Sequence, residues 1–488
     1  MNRFDNLQYV TEGLKPHQVF RYFEQLSQIP RGSHNEREVS DYLKAFGQSL
    51  GLETIQDDVM NIIIKKPATK GYENAPVVIL QGHMDMVCEK NEDTIHDFTK
   101  DPLKLYIEGD YLKAKGTTLG ADNGIAVAYA MAILASDDIA HPPLEVIITV
   151  EEETGMGGVI GFDKKNVSGK LLINMDSEEE GIFFASCAGG VRANIHLDIE
   201  REANELPCYK VMIKDLKGGH SGLNIIDGRG NAIKLLGRLI NDLTIDFNLV
   251  EVFGGSKPNA IPREAFAIIA TKDEAGLKAD IEKLNKVFNN ELQHTDALNI
   301  LISNVDTGSM CYSNELKERI IQTLVLFPCG VQTMSFAIDG LVESSLNIGV
   351  LSEIEEQLVF ESAIRSSVKT LKYEILNRVE VLAKLVRGQM KTVSDYPEWA
   401  YNSNSMLQDL FKRVYKETTG KEAEIAAIHA GLECGFFAEK LTDTDGSDLD
   451  MISLGPDMGE VHTPDEYLSI SSVERTWTFI QSILKAIQ

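Results

Sequence analysis

Residues 77–91 read VVILQGHMDMVCEKN. Val77, Val78, Ile79 and Leu80 form an uninterrupted aliphatic run, the pattern of a strand buried on both faces of a parallel sheet. The run ends in Gln81, Gly82, His83, Met84 and Asp85. Polar groups at the end of such a strand need a partner, because burying them alone is costly. Residues two apart in extended chain face the same side. The Asp85 carboxylate can therefore orient the His83 imidazole and raise its basicity.

Similar runs recur at 58–64 (DVMNIII), 144–150 (LEVIITV), 171–175 (LLINM) and 451–454 (MISL). Between the second and third of the five, IAVAYAMAILAS predicts a helix from Ile125 to Ala135. Upstream, Val19, Phe23 and Leu26 mark one helical stripe, and Val39, Leu43 and Phe46 a second. Pro30 and Gly32 separate them, with Ser33 the expected N-cap of the second helix. Strands alternating with helices predict an α/β fold with a mainly parallel sheet and helices on both faces.

The middle of the chain has alternating strands and longer amphipathic helices. PNAIPREAFAIIAT (258–271) and LNIGVLSEIEEQLVFESAIRSS (346–367) each set an Asn-x-Ile or Asn-Ile-Gly element before a strand. That echo predicts a duplicated α+β lobe. The expected organisation is a catalytic domain of residues 1–187 and 398–488, interrupted by an inserted two-lobed domain at 188–397.

A chain of 488 residues is too long for one core, and its formal charge of −27 disfavours nucleic acid and anionic membranes as partners. The N-terminus lacks the apolar segment of a signal peptide, and no run reaches transmembrane length. Six scattered cysteines without a C-x-x-C pair fit reduced thiols in the cytoplasm.

Five segments deliver an acid or a histidine just past a strand or into a turn that leads a helix. They carry His83, Asp122 in GADNGIA, Glu151–Glu152–Glu153 in EEETGMGG, Asp176 in NMDSEEEG, and His462 in HTPDE. Ligands of open parallel sheets bind at the carboxyl ends of strands, so these groups are expected to converge. Converging carboxylates repel unless a cation sits among them. Two histidines with three carboxylates suit a pair of divalent metals, with one carboxylate bridging. Zinc accepts this set, as do manganese and cobalt. Consecutive glutamates allow one to bind metal while its neighbour takes a proton from the attacking water. A dinucleotide fingerprint is excluded at GMGGVI (155–160), where Ile160 replaces the last glycine and three acids precede it.

The motifs GHMDMV, GADNGIA, EEETGMGG, NMDSEEEG, GGHSG, HAGLECG and HTPDE occur in the order found in the cocatalytic dizinc peptidases. That family includes carboxypeptidase G, peptidase T, peptidase V and the carnosinases. The chain resembles it over nearly its whole length, most of all its Xaa-His dipeptidase branch. The resemblance implies that His83 and Asp176 hold one metal and Glu153 and His462 the other. Asp122 would bridge them, Glu152 would be the general base and Asp85 the residue that orients His83. The additional acid leaves Glu151–Glu152 as an alternative register for base and ligand. The inserted segment resembles the family's lid. His220 would stabilise the oxyanion, Arg365 would grip the substrate carboxylate, and Asn259 would add a polar contact. The backbone at Gly431 would approach the substrate. The implied activity is hydrolysis of dipeptides, preferentially Xaa-His, including β-Ala-His. A broader dipeptidase, a tripeptidase, an N-acyl amino acid deacylase and a non-catalytic metal scaffold are the competing readings. A small peptide is the expected substrate, and a homodimer the working expectation for assembly.

Overall fold

A computed structural model describes residues 4, 7–306, 309–442 and 449–488. The chain divides into two units. The first comprises Met1–Ser186, Tyr401–Ala427 and Phe436–Gln488, and the second Cys187–Ala400 with Ile428–Gly435. The last segment corrects the expectation that everything after 398 returns to the first domain. Its anchor in the second unit is His429, whose Nε2 lies 2.7 Å from Ser345 Oγ.

An eight-stranded sheet organises the first unit, in the order Glu53–Gln56, Ile62–Lys66, Leu144–Thr149, Val78–His83, Leu171–Asn174, Asp450–Ser453, Ile182–Cys187, Glu424–Ile428. The four strands from Leu144–Thr149 to Asp450–Ser453 run parallel, and antiparallel pairs flank them. The sheet is thus mixed, with its parallel part at the centre. Ile62, Ile64, Leu80, Val146, Ile148 and Ile173 enter one hydrophobic cluster with helices His17–Ser27, Ala121–Ala135, Met406–Thr419 and Ile470–Ala486. The intervening Ile63, Ile79, Ile147 and Leu172 point the other way and are equally buried. Burial on both faces is what the continuous apolar runs require.

Two local expectations fail for identifiable reasons. The strand foreseen from residue 58 starts at Ile62, because Asp57 Oδ1 accepts the N–H groups of Val59 and Asn61 and folds 57–61 into a turn. Ser33 does not cap a helix. The helix begins at Arg37 behind Glu36, while Ser33 Oγ donates to Asp85 Oδ2 at 2.8 Å.

The second unit contains one nine-stranded sheet rather than separate lobes. The duplication lies within it. Strand Cys208–Lys214, helix Ala232–Asn241, strands Asn248–Gly254 and Ala265–Ala270, helix Glu274–Leu292 and strand Asn299–Val305 form a β-α-β-β-α-β repeat. Gly189–Asp198, Asn314–Leu326, Val342–Ile354, Gln357–Ser366, Lys369–Leu385 and Gln389–Tyr396 form another, with the same strand order of fourth, first, third, second. The former is inserted after the latter's opening strand. The two repeats join into this sheet where Gly254 pairs with Leu351, and one hydrophobic cluster serves both. The sequence echo falls on the central hairpin of each repeat. Asn347 lies inside its strand instead of in a turn. Among the described residues no helix is long and apolar enough to cross a membrane.

Candidate active site

Three neighbouring parallel strands set the site in the first unit. His83 closes the middle strand, paired with Thr149 on one side, while Gln81 two residues earlier pairs with Asn174 on the other. The chain beyond Thr149 therefore brings Glu152 and Glu153 to one flank of His83, and the chain beyond Asn174 brings Asp176 to the other. Asp122 enters from the crossover helix Ala121–Ala135, whose first turn departs from helical φ/ψ at Asp122 and Asn123. Asn123 Oδ1 accepts the His83 N–H at 3.1 Å, and its Nδ2 donates to Met175 O at 2.9 Å. This clips the helix to two strand ends. The helix lies so close that a Cβ on Gly82 would stand 2.5 Å from Asn123 Oδ1 and 2.8 Å from the Ala126 Cβ. His462 follows the short strand Met458–Gly459.

The donor atoms form two triads. His83 Nε2 lies 3.1 Å from Asp122 Oδ1 and 3.5 Å from Asp176 Oδ1. His462 Nε2 lies 3.2 Å from Asp122 Oδ2 and 3.1 Å from Glu153 Oε1. A single imidazole N–H cannot serve two carboxylates well, whereas a cation at the centre of each triad would satisfy all three donors. Ligands on a tetrahedral zinc with bonds of about 2.0–2.1 Å stand about 3.3 Å apart. The observed separations fit that spacing, and Asp122 offers one oxygen to each triad. His83, Asp122 and Glu153 also meet as a potential metal cluster.

Asp85, fully buried, organises the surroundings. Its Oδ1 lies 3.3 Å from His83 Nδ1 and accepts the Glu152 N–H at 3.1 Å. Its Oδ2 accepts from Ser33 Oγ and, at 3.3 Å, from the Glu153 N–H. One carboxylate thus fixes both the histidine and the loop bearing the glutamates. Glu151 faces elsewhere: its Oε1 pairs with His34 Nδ1 at 3.2 Å and its N–H donates to Glu36.

Sequence reasoning missed two buried supports. Arg31 donates to the carbonyls of Met84, Asp85 and Gly120, tying the loop after His83 to the turn before Asp122. Glu466, in the motif that carries His462, accepts the N–H groups of Leu119, Gly120 and Ala121. The only signal available was their presence in the quoted motif and in the loop between two helices.

The charges show the same need for cations. Burial would depress the His83 pKa, yet Asp176, Asp122 and Asp85 outweigh it and raise it well above the ordinary value. Hydrogen bonds to Asp122 and Glu153 push His462 up to about 11. Asp176 rises to about 6, through burial and the neighbouring Asp122 and Glu153, against the pull of His83. Burial disfavours the Asp122 carboxylate, but His462 and His83 hold its pKa below the usual range.

The second unit gathers His220, Arg365 and His429. His220 Nδ1 accepts from the N–H groups of Gly222 and Leu223 at 3.3 and 3.1 Å, which places the imidazole hydrogen on Nε2. Burial and Arg365 lower the His220 pKa, favouring the neutral ring. Arg365 is 8% exposed, and among the described residues no carboxylate pairs with it. Burial first, then Arg365 and His220, take His429 down to about 3. Asn259 is exposed; its carbonyl, not its side chain, accepts the Ser221 N–H. Gly431 is close to Tyr396, where a Cβ would lie 2.9 Å from the ring.

The chain is 39% identical over 481 residues to the cytosol non-specific dipeptidase of Escherichia coli (strain K12), covering 97% of this chain and 98% of that protein. Its structure superposes on the aminoacylhistidine dipeptidase of Vibrio alginolyticus with a TM-score of 0.92 and 37% identity, over 100% and 99% of the two chains. The aminopeptidase PepT of Bacillus cereus shares the fold at a TM-score of 0.56 and 16% identity, over 97% of this chain and 99% of that one. The profile of Peptidase family M20/M25/M40 matches residues 79–486, and the chain belongs to that family of metallopeptidases.

Proposed function

We propose that this protein is a two-metal dipeptidase with a preference for Xaa-His substrates such as β-alanyl-histidine. The observation that carries the reading is the pair of three-donor sets sharing Asp122. His83 and Asp176 would hold one ion, Glu153 and His462 the other, and Asp122 both. The ions, with zinc favoured by the donor set, supply Lewis acidity and lower the pKa of a water.

Glu152 takes the proton of the attacking water and returns it to the leaving amine. The register with Glu152 as base is supported by the pairing of Glu153 with His462 and of Glu151 with His34. His220 donates its Nε2–H to the developing oxyanion, a task suited to a neutral imidazole held by its other nitrogen. Arg365 binds the C-terminal carboxylate; a buried guanidinium without a carboxylate partner favours an anionic ligand. Asn259 and Gly431 act through backbone placement, the former beside Ser221 and the latter against Tyr396. The enzyme is placed in the cytoplasm, in keeping with its free cysteines and its relative's description. It is read as a homodimer, to be checked by sedimentation.

The name of the Escherichia coli relative favours one competing reading, a broader dipeptidase. Purified protein, before and after chelation, should be offered β-alanyl-histidine, other Xaa-His dipeptides, non-histidine dipeptides, tripeptides and N-acyl amino acids. Metal-dependent release concentrated on Xaa-His is the expected result. Equal turnover of other dipeptides would sink the histidine preference, and no hydrolysis at all would sink the dipeptidase reading.

A further inference from the structure

Strand register in the second unit places Ser345 opposite Arg365, Arg365 opposite Gly190, and Gly190 opposite Tyr396. Directly paired residues point to one face of a sheet, so these four form a row across it. Adjacent strands lie about 4.8 Å apart, which leaves Arg365 and Tyr396 about 10 Å apart at their Cα atoms. Their side chains can meet only over the middle strand. Gly190 leaves that space open: a Cβ there would sit 2.5 Å from the Tyr396 hydroxyl and 2.6 Å from Cζ. Gly431 packs against the ring, and Lys372 Nζ donates to the Tyr396 carbonyl at 2.8 Å while pairing with Asp395 and Glu398. The tyrosine is held by its backbone and its ring.

Arg365 Nη1 donates to the Tyr396 hydroxyl at 2.9 Å. A guanidinium only donates, so the phenol oxygen is the acceptor and its own hydrogen is unspent. Among the described residues that hydrogen has no acceptor, and the buried Arg365 Nε has none either. Donors left over on adjacent groups, beside a cation without a counter-charge, make a receptor for a planar anion.

We infer that Tyr396 is a substrate-binding residue that donates its O–H to the same terminal carboxylate that Arg365 holds, forming a two-residue clamp for a free peptide C-terminus. The inference rests on the dipeptidase reading. A tyrosine that merely braced the fold would not distinguish a carboxylate from its amide, and this one should.

The test compares metal-loaded wild type, Tyr396→Phe, Arg365→Met and the double variant on β-alanyl-histidine and its C-terminal carboxamide. Losing one hydrogen bond to a charged group should raise KM for the acid by about tenfold or more. The kcat and the kinetics on the amide should hold, while the melting temperature of Tyr396→Phe drops modestly because Arg365 Nη1 loses its acceptor. The double variant should discriminate no worse than Arg365→Met alone, because both residues act on one carboxylate. Calorimetry with histidine and histidinamide reads the same preference without turnover. Unchanged acid-over-amide preference in Tyr396→Phe, by kinetics or by calorimetry, overturns the clamp. If Arg365→Met loses the preference in that case, the Arg365 assignment stands and only the role of Tyr396 falls. If Arg365→Met also keeps it, the carboxylate site itself is wrong, and the clamp with it.

Discussion

Replacing Asp85 by Asn removes a charge and one acceptor oxygen without changing shape. Four donors converge on the carboxylate: His83 Nδ1 and the Glu152 N–H on Oδ1, Ser33 Oγ and the Glu153 N–H on Oδ2. The amide must turn its NH2 toward one of these pairs. Facing His83 and Glu152, it would oppose two donors that cannot rotate away. Facing Ser33 and Glu153, it opposes only one, because the serine hydroxyl can reverse and accept. The second orientation wins, and the part-buried Glu153 N–H is left without its partner. That costs about 1–3 kcal/mol. The orphan belongs to the residue whose side chain reaches His462, so the displacement falls on the second candidate metal triad. The lost charge falls on His83 in the first, where removing a carboxylate behind a ligating histidine weakens metal binding by about 10–100-fold.

Asp85→Asn should therefore lose affinity for both ions, not one, and melt at a lower temperature with or without metal. Competition with a chromophoric chelator reads the two affinities, and calorimetric unfolding reads the stability. Two ions bound with parental affinity would refute the reasoning, and so would weakening confined to a single ion. The former would mean that Asp85 does not orient His83. The latter would mean that the Glu153 amide does not depend on it.

Three further outcomes are expected. In the glutamate series, Glu153→Gln should bind one ion instead of two, Glu152→Gln should keep both with activity down by about 10²–10⁴-fold, and Glu151→Gln should stay near the parent; metal content and turnover together decide the register. Gly82→Ala should overpack the helix–strand contact at Asn123 and Ala126, with a stability loss of about 1–3 kcal/mol and reduced metal retention, read by unfolding and metal analysis. His462, pushed up to about 11 in the metal-free protein, must lose its proton to bind metal, so loading should release protons and affinity should climb with pH. Because that folded pKa lies above the ordinary value near 6.5, the stabilisation from pairing is complete below about pH 6.5 and fades as pH rises toward 11. Screening at this half-exposed ring keeps that loss small, but the melting-temperature gap between loaded and chelated protein should widen from pH 7 to 9.

The candidate ligands were legible because each stands a few residues past an apolar strand or at the head of an apolar helix. Parallel strands carry such positions to one edge whatever else the chain does. Their supports were not legible. Arg31 acts on the Gly120 carbonyl 89 residues away. Glu466 accepts the N–H of Ala121 across 345 residues. A backbone group leaves no mark in the sequence of its partner, so a buried arginine and a buried glutamate of this kind look like any other charges. Ser33 misled for a related reason: its position suits a helix cap, yet Asp85 takes its hydroxyl from 52 residues away.

The duplicated unit shows the same division on a larger scale. Its echo was visible only at the two central hairpins, where the second and third strands of a repeat follow each other with no helix between them. The rest of the symmetry was hidden because the opening strand of one repeat, Gly189–Asp198, is separated from its helix, Asn314–Leu326, by the whole of the other repeat. The strand order that both repeats share matters for function. This order of fourth, first, third, second puts Gly189–Asp198 between the strands that carry Arg365 and Tyr396, hydrogen-bonded to both. Only a strand with neighbours on both edges can hold two side chains to a common point across a glycine, and the insertion enters after that strand has ended, so it leaves the Arg365–Tyr396 row intact.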